Sequence, residues 1–158
     1  MAKRGLCFVR PWNRLIVMLF VAVCLSPPAW AVQKIAASIK TIQGSSVVIR
    51  GAQTIPAYKG MHLLTSDLLQ TSADGLMGVL FQDGTRISLG PHTEVRIDHF
   101  LYEPAEGKLG LLLRIARGVL VYVSGKISQL SSGSVSVETP SCVIGLRGTH
   151  FATSIDER

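Results

Sequence analysis

Beyond residue 31 the chain never keeps apolar residues at helical spacing for long; short apolar runs are cut repeatedly by Gly, Pro, Asp and Ser. That pattern predicts a chain made of strands. Its clearest instance is Thr93 to Asp98, where Val95 and Ile97 face one way and Glu94, Arg96 and Asp98 the other. Period-two alternation of this kind marks a strand with one buried face. Two Asp-Gly pairs, Asp74-Gly75 and Asp83-Gly84, read as strand turns in which Gly supplies a positive φ. A two-residue turn at Asp83-Gly84 sets Leu80 opposite Ile87 and puts Met77, Val79 and Phe81 on the reverse face.

Other segments follow the same reasoning. Ile39 to Ile42 and Val47 to Arg50 flank Gly44-Ser45-Ser46 as a first hairpin, and residues 51–60, with Pro56, form a loop. Leu109, Leu111, Leu113 and Ile115 alternate along a strand in preference to a helix, with Val119, Val121 and Val123 continuing after Gly118. Ser131 to Ser134 is a polar loop, and Val135 and Val137 open a strand that Pro140 ends. The expected fold is a single all-β domain of short strands. A two-layer β-sandwich and a twisted β-solenoid-like arrangement both fit it.

The opening segment has a different character. Residues 1–14 carry Lys3, Arg4, Arg10 and Arg14 and no acidic residue, the apolar run Leu15–Leu25 follows, and then Ser26-Pro27-Pro28-Ala29-Trp30-Ala31. A basic start, an apolar run too short to cross a bilayer and an Ala-x-Ala ending predict a signal peptide cleaved after Ala31. The expected product is a periplasmic domain of residues 32–158, the alternative being a chain anchored to the inner membrane by an uncleaved N-terminal segment. Four of the 16 basic residues and none of the 10 acidic ones leave with the leader, so the net charge falls from +6 to +2. The basic precursor therefore gives no support to nucleic-acid binding. Cys7 and Cys24 leave as well, so Cys142 remains alone, expected as a small core residue.

Longer motifs add a resemblance. Val79-x-Phe81-x-Asp83-Gly84-Thr85-x-x-x-Leu89-Gly90-Pro91-x-Thr93-x-Val95-x-Ile97 resembles the opening of the FecR domain. Arg117-Gly118-Val119, then Val135-x-Val137-x-Thr139-Pro140, then Gly145-x-Arg147-Gly148-Thr149-x-Phe151 resemble its ending. Pro56-Ala57 through Asp67-x-Leu69-x-Thr71 resembles the lead-in of stand-alone members, and the whole similarity spans about residues 38–155. Ser66 and Ser72 stand where the family usually has Gly. Relatives that regulate sigma factors carry a cytoplasmic helical domain and a membrane helix before this module. Here a leader is expected in their place, so the anti-sigma activity is not carried over. What the resemblance implies is a periplasmic β-module that contacts proteins.

Catalytic and metal chemistry leave no pattern. His62, His92, His99 and His150 are scattered without ligand spacing, and Asp98 and His99, as strand neighbours, are expected on opposite faces. No Gly-x-Ser-x-Gly elbow exists, Cys142 has no basic residue within two positions, and Gly145-x-x-Gly148 lacks the spacing of a phosphate loop. No enzyme activity, cofactor or metal is expected. The candidate partner-binding residues are Arg147, Thr149, His150 and Phe151 at the Gly145–Phe151 corner, with Arg114 and Arg117. Together with Lys126 and Arg147, those two arginines could form a basic strip. Tyr102 and Tyr122 are expected at core edges with wet hydroxyls. The expected partner is a periplasmic or envelope protein, or a second copy. The alternative is a peptidoglycan-type polysaccharide held by the basic strip.

Overall fold

The computed structural model describes residues 34–147 and 150–155. The expected leader, its cleavage point after Ala31, and Gly148 and Thr149 lie outside the described residues. Within them the chain forms β1 (Ile35–Gln43), β2 (Ser46–Arg50), β3 (Gln53–Pro56), β4 (His62–Leu64), β5 (Leu68–Thr71) and β6 (Leu76–Phe81). β7 (Arg86–Leu89), β8 (Glu94–Glu103), β9 (Lys108–Val123), a short helix α1 (Lys126–Leu130), β10 (Val135–Glu138), β11 (Val143–Gly145) and β12 (His150–Ile155) follow. No described helix is long and apolar enough to cross a membrane.

The expected all-β single domain is what forms. Its strands run in the order β3-β2-β5-β8-β9-β7-β6-β1-β4, with β10 and β12 also on β9 and β11 on β10. One strand holds this curled sheet together. The first part of β9 pairs with β8 and, in parallel, with β10. Its last six residues pair with β7 and β12. The two halves of the sheet close over one core: Val48, Leu69, Val95, Ile97, Leu111 and Leu113 enter from one half, Ile39, Leu63, Val79, Ile87, Leu89 and Leu120 from the other. Phe81 of β6 and Phe100 of β8 meet across it with ring centroids 5.4 Å apart.

Two strands keep their apolar side chains inward only by changing parity. On β9, Leu111, Leu113 and Ile115 are buried, and then Leu120 and Tyr122. The switch falls between Ile115 and Gly118: the β8–β9 register gains one residue at Ala116, between the pairs Val95–Ile115 and Glu94–Arg117, and Gly118 has φ 91°. An extra residue in one strand turns every later side chain over. Val119 and Val121, expected to continue the inward row, are consequently 38% and 40% exposed. Any side chain at Gly118 would place its Cβ 2.4 Å from Thr93 Cα, so this corner admits only glycine. β8 makes the same move between Ile97 and His99, which leaves neither Asp98 nor His99 buried and turns Phe100 inward, against the expectation of opposite faces.

The turns depart from expectation in ways that follow from this closure. Gly44-Ser45 is not a hairpin: β1 pairs with β4 and β6, and β2 with β3 and β5, so the chain changes sheet halves there. Asp74-Gly75 likewise passes from β5 to β6 between the halves, with no positive φ at Gly75. The expected loop at 51–60 contains β3. At Asp83-Gly84 the hairpin stands, but Phe81 N–H donates to Thr85 C=O across a three-residue loop. Val79 thus faces Ile87 and Leu80 faces Arg86, one position away from the expected register. Gly84, at φ 85°, supplies the left-handed residue that a three-residue hairpin loop takes. The helix α1 and the parallel β9–β10 pairing have no counterpart in the sequence reading.

Candidate functional site

The residues singled out in the sequence fall in two separate places. Arg114 and Arg117 lie on the outer surface of the β8–β9–β10 half. Arg114 donates through Nε and Nη2 to Glu138 of β10 at 3.0 and 2.8 Å, and its Nη2 lies 3.1 Å from Asp98 of β8. Asp98 also meets Arg96 at 2.8 Å, and Arg117 lies 3.5 Å from Glu94, its cross-strand partner. Glu138, then Asp98, holds the Arg114 guanidinium above its ordinary pKa. Three arginines and three carboxylates thus alternate on this face, leaving little uncompensated positive charge there for an anionic glycan. Exposed pairs of this type add little to stability, so their main effect is to set the character of the surface.

The remaining candidates do not extend that face into a strip. Lys126 begins α1, and Leu146, next to Arg147, bonds to Val135 at the opposite end of β10 from Glu138. Arg147 and His150 are exposed, and Phe151 is half-buried against the core opposite Tyr122. Cys142 is exposed, contrary to the expected core position. It lies in the tight link between β10 and β11, where Thr139 Oγ1 accepts from its backbone N–H at 3.0 Å. Neighbouring Val143 is 66% exposed. The described histidines are all exposed, and no group of His, Cys, Asp or Glu among the described residues could hold a metal ion.

Several motif residues have structural work that spacing could not show. Asp83 is 1% exposed and accepts from Thr85 N–H at 3.0 Å, Thr85 Oγ1 at 2.7 Å and Ile127 N–H at 3.3 Å. Its backbone C=O accepts from Lys126 N–H at 2.9 Å, and Thr85 Oγ1 accepts from Gly125 N–H at 3.1 Å. The Asp-Gly-Thr turn therefore satisfies the free N–H groups at the start of α1 with a carboxylate. Tyr122 is buried close to Thr85 and Ser128, so its hydroxyl is not wet as expected, and it forms no hydrogen bond of good geometry. Burial, ahead of the weaker opposing contact with Thr85, pushes this phenol above its ordinary pKa.

Asp67 is the second buried acid. It accepts from Arg50 Nε and Nη2 at 2.9 and 2.7 Å and from Leu64 N–H at 2.8 Å. The pair ties β2 to the start of β5 and raises the Arg50 pKa. Ser66, standing where Gly is usual, has φ 75°. Thr71 and Thr93 close the corner at Gly118: Thr71 Oγ1 donates to Gly90 C=O at 2.6 Å and accepts from Thr93 N–H at 2.9 Å, and Thr93 Oγ1 accepts from Val119 N–H at 2.9 Å.

What the surface offers is therefore backbone edges and apolar side chains. Among the described residues β3, β4, β11 and β12 each have a neighbour on one side only. Beside β12, the outward row of β9 presents Val119 and Val121, opposite Ser154 and Ala152. An unpaired strand edge is a template for another strand.

Comparison with family models finds one described as FecR protein, matching residues 67–158. Comparisons with curated proteins and with solved structures find no match. The matched segment opens at the buried Asp67 and carries β5 to β12, while β1 to β4 complete both halves of the sheet from outside it. The motifs around Asp83, Gly118 and Phe151 all fall within the match, which covers more than half of the chain: the protein belongs to the FecR family.

Proposed function

We propose that this chain is an exported periplasmic docking module that binds a protein partner through its sheet edges and takes part in envelope signalling or scaffolding without catalysis. The FecR family is a regulatory, non-enzymatic one, related to the periplasmic part of sigma regulators. The observation that carries the reading is the pair of one-sided strands that end the matched segment, β11 and β12. Val143 on β11 and Phe151 on β12 offer apolar contact, and Arg147 and His150 offer polar contact. Strand addition to such an edge takes its affinity from main-chain hydrogen bonds and its selectivity from neighbouring side chains. The leader-like segment before Ala31 supports export.

Site-specific photocrosslinking in the periplasm tests this. A crosslinking residue at Arg147 or His150 is expected to trap a discrete protein adduct identifiable by mass spectrometry. One at Arg96, on the charged face, is expected to trap none. Adducts confined to Arg96, or a chain retained in the cytosol with its leader intact, would overturn the proposal.

A further inference from the structure

We propose that two copies of the chain associate by pairing β12 antiparallel with β12 about a two-fold axis at Thr153. This rests on the docking reading above and names the occupant of one edge.

The four one-sided strands are not equivalent. β4 and β11 have three residues each, and β3 has four and ends at Pro56, which has no N–H to give. β12 has six, pairs with β9 without a register shift, and contains neither Pro nor any Asp, Glu, Lys or Arg. Natural sheets usually protect a long edge with a charge, a proline or a bulge. β12 has none of these, and every second residue turns its N–H and C=O away from β9.

The side-chain pattern fits a copy of the same strand with the axis on a residue, and Thr153 is the residue that sets Phe151 and Ile155, the two largest apolar side chains of the strand, against each other. Phe151, Thr153 and Ile155 form the half-buried row, while His150, Ala152 and Ser154 form the exposed row. Across a two-fold at Thr153, Phe151 faces Ile155 of the second copy and Thr153 faces its own counterpart, so half-buried meets half-buried. On the outer surface Ala152 faces Ser154, which continues the small and apolar row begun by Val119 and Val121. An axis between Ala152 and Thr153 would set the exposed row against the half-buried one, the mismatch that fixes register in a sheet. No Asp, Glu, Lys or Arg lies on the strand to repel its copy.

Sedimentation equilibrium of the chain carrying Cys142→Ser, which removes disulfide dimers, reads the association. A concentration-dependent dimer is expected in the micromolar range. Ala152→Lys should weaken it about ten-fold or more. The double variant A152K/S154E should restore it, because the introduced charges lie opposite one another only in this register. Thr153→Cys in the same background should form a disulfide dimer under mild oxidation. Circular dichroism of each variant confirms that the fold persists. A chain that stays monomeric, or a dimer untouched by Ala152→Lys, overturns the inference. Photocrosslinking separates the two readings: a monomer that still traps a protein partner refutes self-pairing alone, and a dimer that traps none refutes the partner reading.

Discussion

Ser66 puts the energetics of this fold to a sharp test. Its φ of 75° lies in the left-handed region, where a Cβ crowds the following carbonyl at a cost of about 1–2 kcal/mol. The conformation is enforced: Ser66 N–H donates to Ile97 C=O at 2.7 Å, and Asp67, next in the chain, is locked by Arg50. The Ser66 side chain is exposed, so its removal gives up little contact. Ser66→Gly relieves the crowding but adds about 0.5–1 kcal/mol of backbone freedom to the unfolded chain. The net expectation is a gain of about 0.5–1 kcal/mol, or about 2–4 °C in midpoint for a domain of roughly 120 residues. Urea denaturation with an unchanged slope reads the first figure and calorimetry the second. Thr65→Gly is the control: Thr65 has no positive φ, so the same change there should cost about 0.5–1 kcal/mol through the added freedom of the unfolded chain. If Ser66→Gly destabilises as much as Thr65→Gly, the strain argument is wrong.

Three further perturbations address other parts of the structure. Gly118→Ala combines a φ of 91° with a Cβ 2.4 Å from Thr93 Cα, and should cost about 3 kcal/mol or more in chemical denaturation; a cost below about 1 kcal/mol would mean the corner is slack. Asp83→Ala strips three donors of their acceptor in a buried place and should cost about 3 kcal/mol, with amide exchange of Ile127 accelerating before that of the strands. For Tyr122 the folded pKa lies above the unfolded value near 10, so the phenol binds its proton more tightly in the folded state. Its contribution is complete below that pH and is lost as pH rises toward the folded value. Tyr122→Phe should therefore flatten the alkaline loss of stability, while changing stability at neutral pH by no more than about 1 kcal/mol because the hydroxyl forms no good hydrogen bond. Equal alkaline slopes in the two proteins would contradict this.

The exposure of Arg147 and His150 follows from residue type, but their setting does not: the described residues of the Gly145–Phe151 corner divide between β11 and the residues after it, beside β10, and β12, beside β9. The same holds for the proposed strip of Arg114, Arg117, Lys126 and Arg147. Its compensating charges, Glu94, Asp98 and Glu138, come from β8 and β10, and nothing local shows that these strands flank β9. The apolar row at Val119 and Val121 was hidden by one inserted residue, because alternation alone predicts their direction from Ile115 without the bulge at Ala116.

The sequence by itself determined the all-β class, the inward face of Val95 and Ile97, the hairpin at Asp83-Gly84 and membership of the FecR family. Each depends on residue type and on neighbours a few positions away. Tertiary structure alone decided that Gly44-Ser45 and Asp74-Gly75 cross between sheet halves, that β10 joins β9 in parallel, and that Asp83 caps a helix 44 residues farther along the chain. The physical reason is that backbone hydrogen bonds are the same for every residue: a strand's side chains say which face it buries, but its neighbour is chosen only when the whole chain closes over one core.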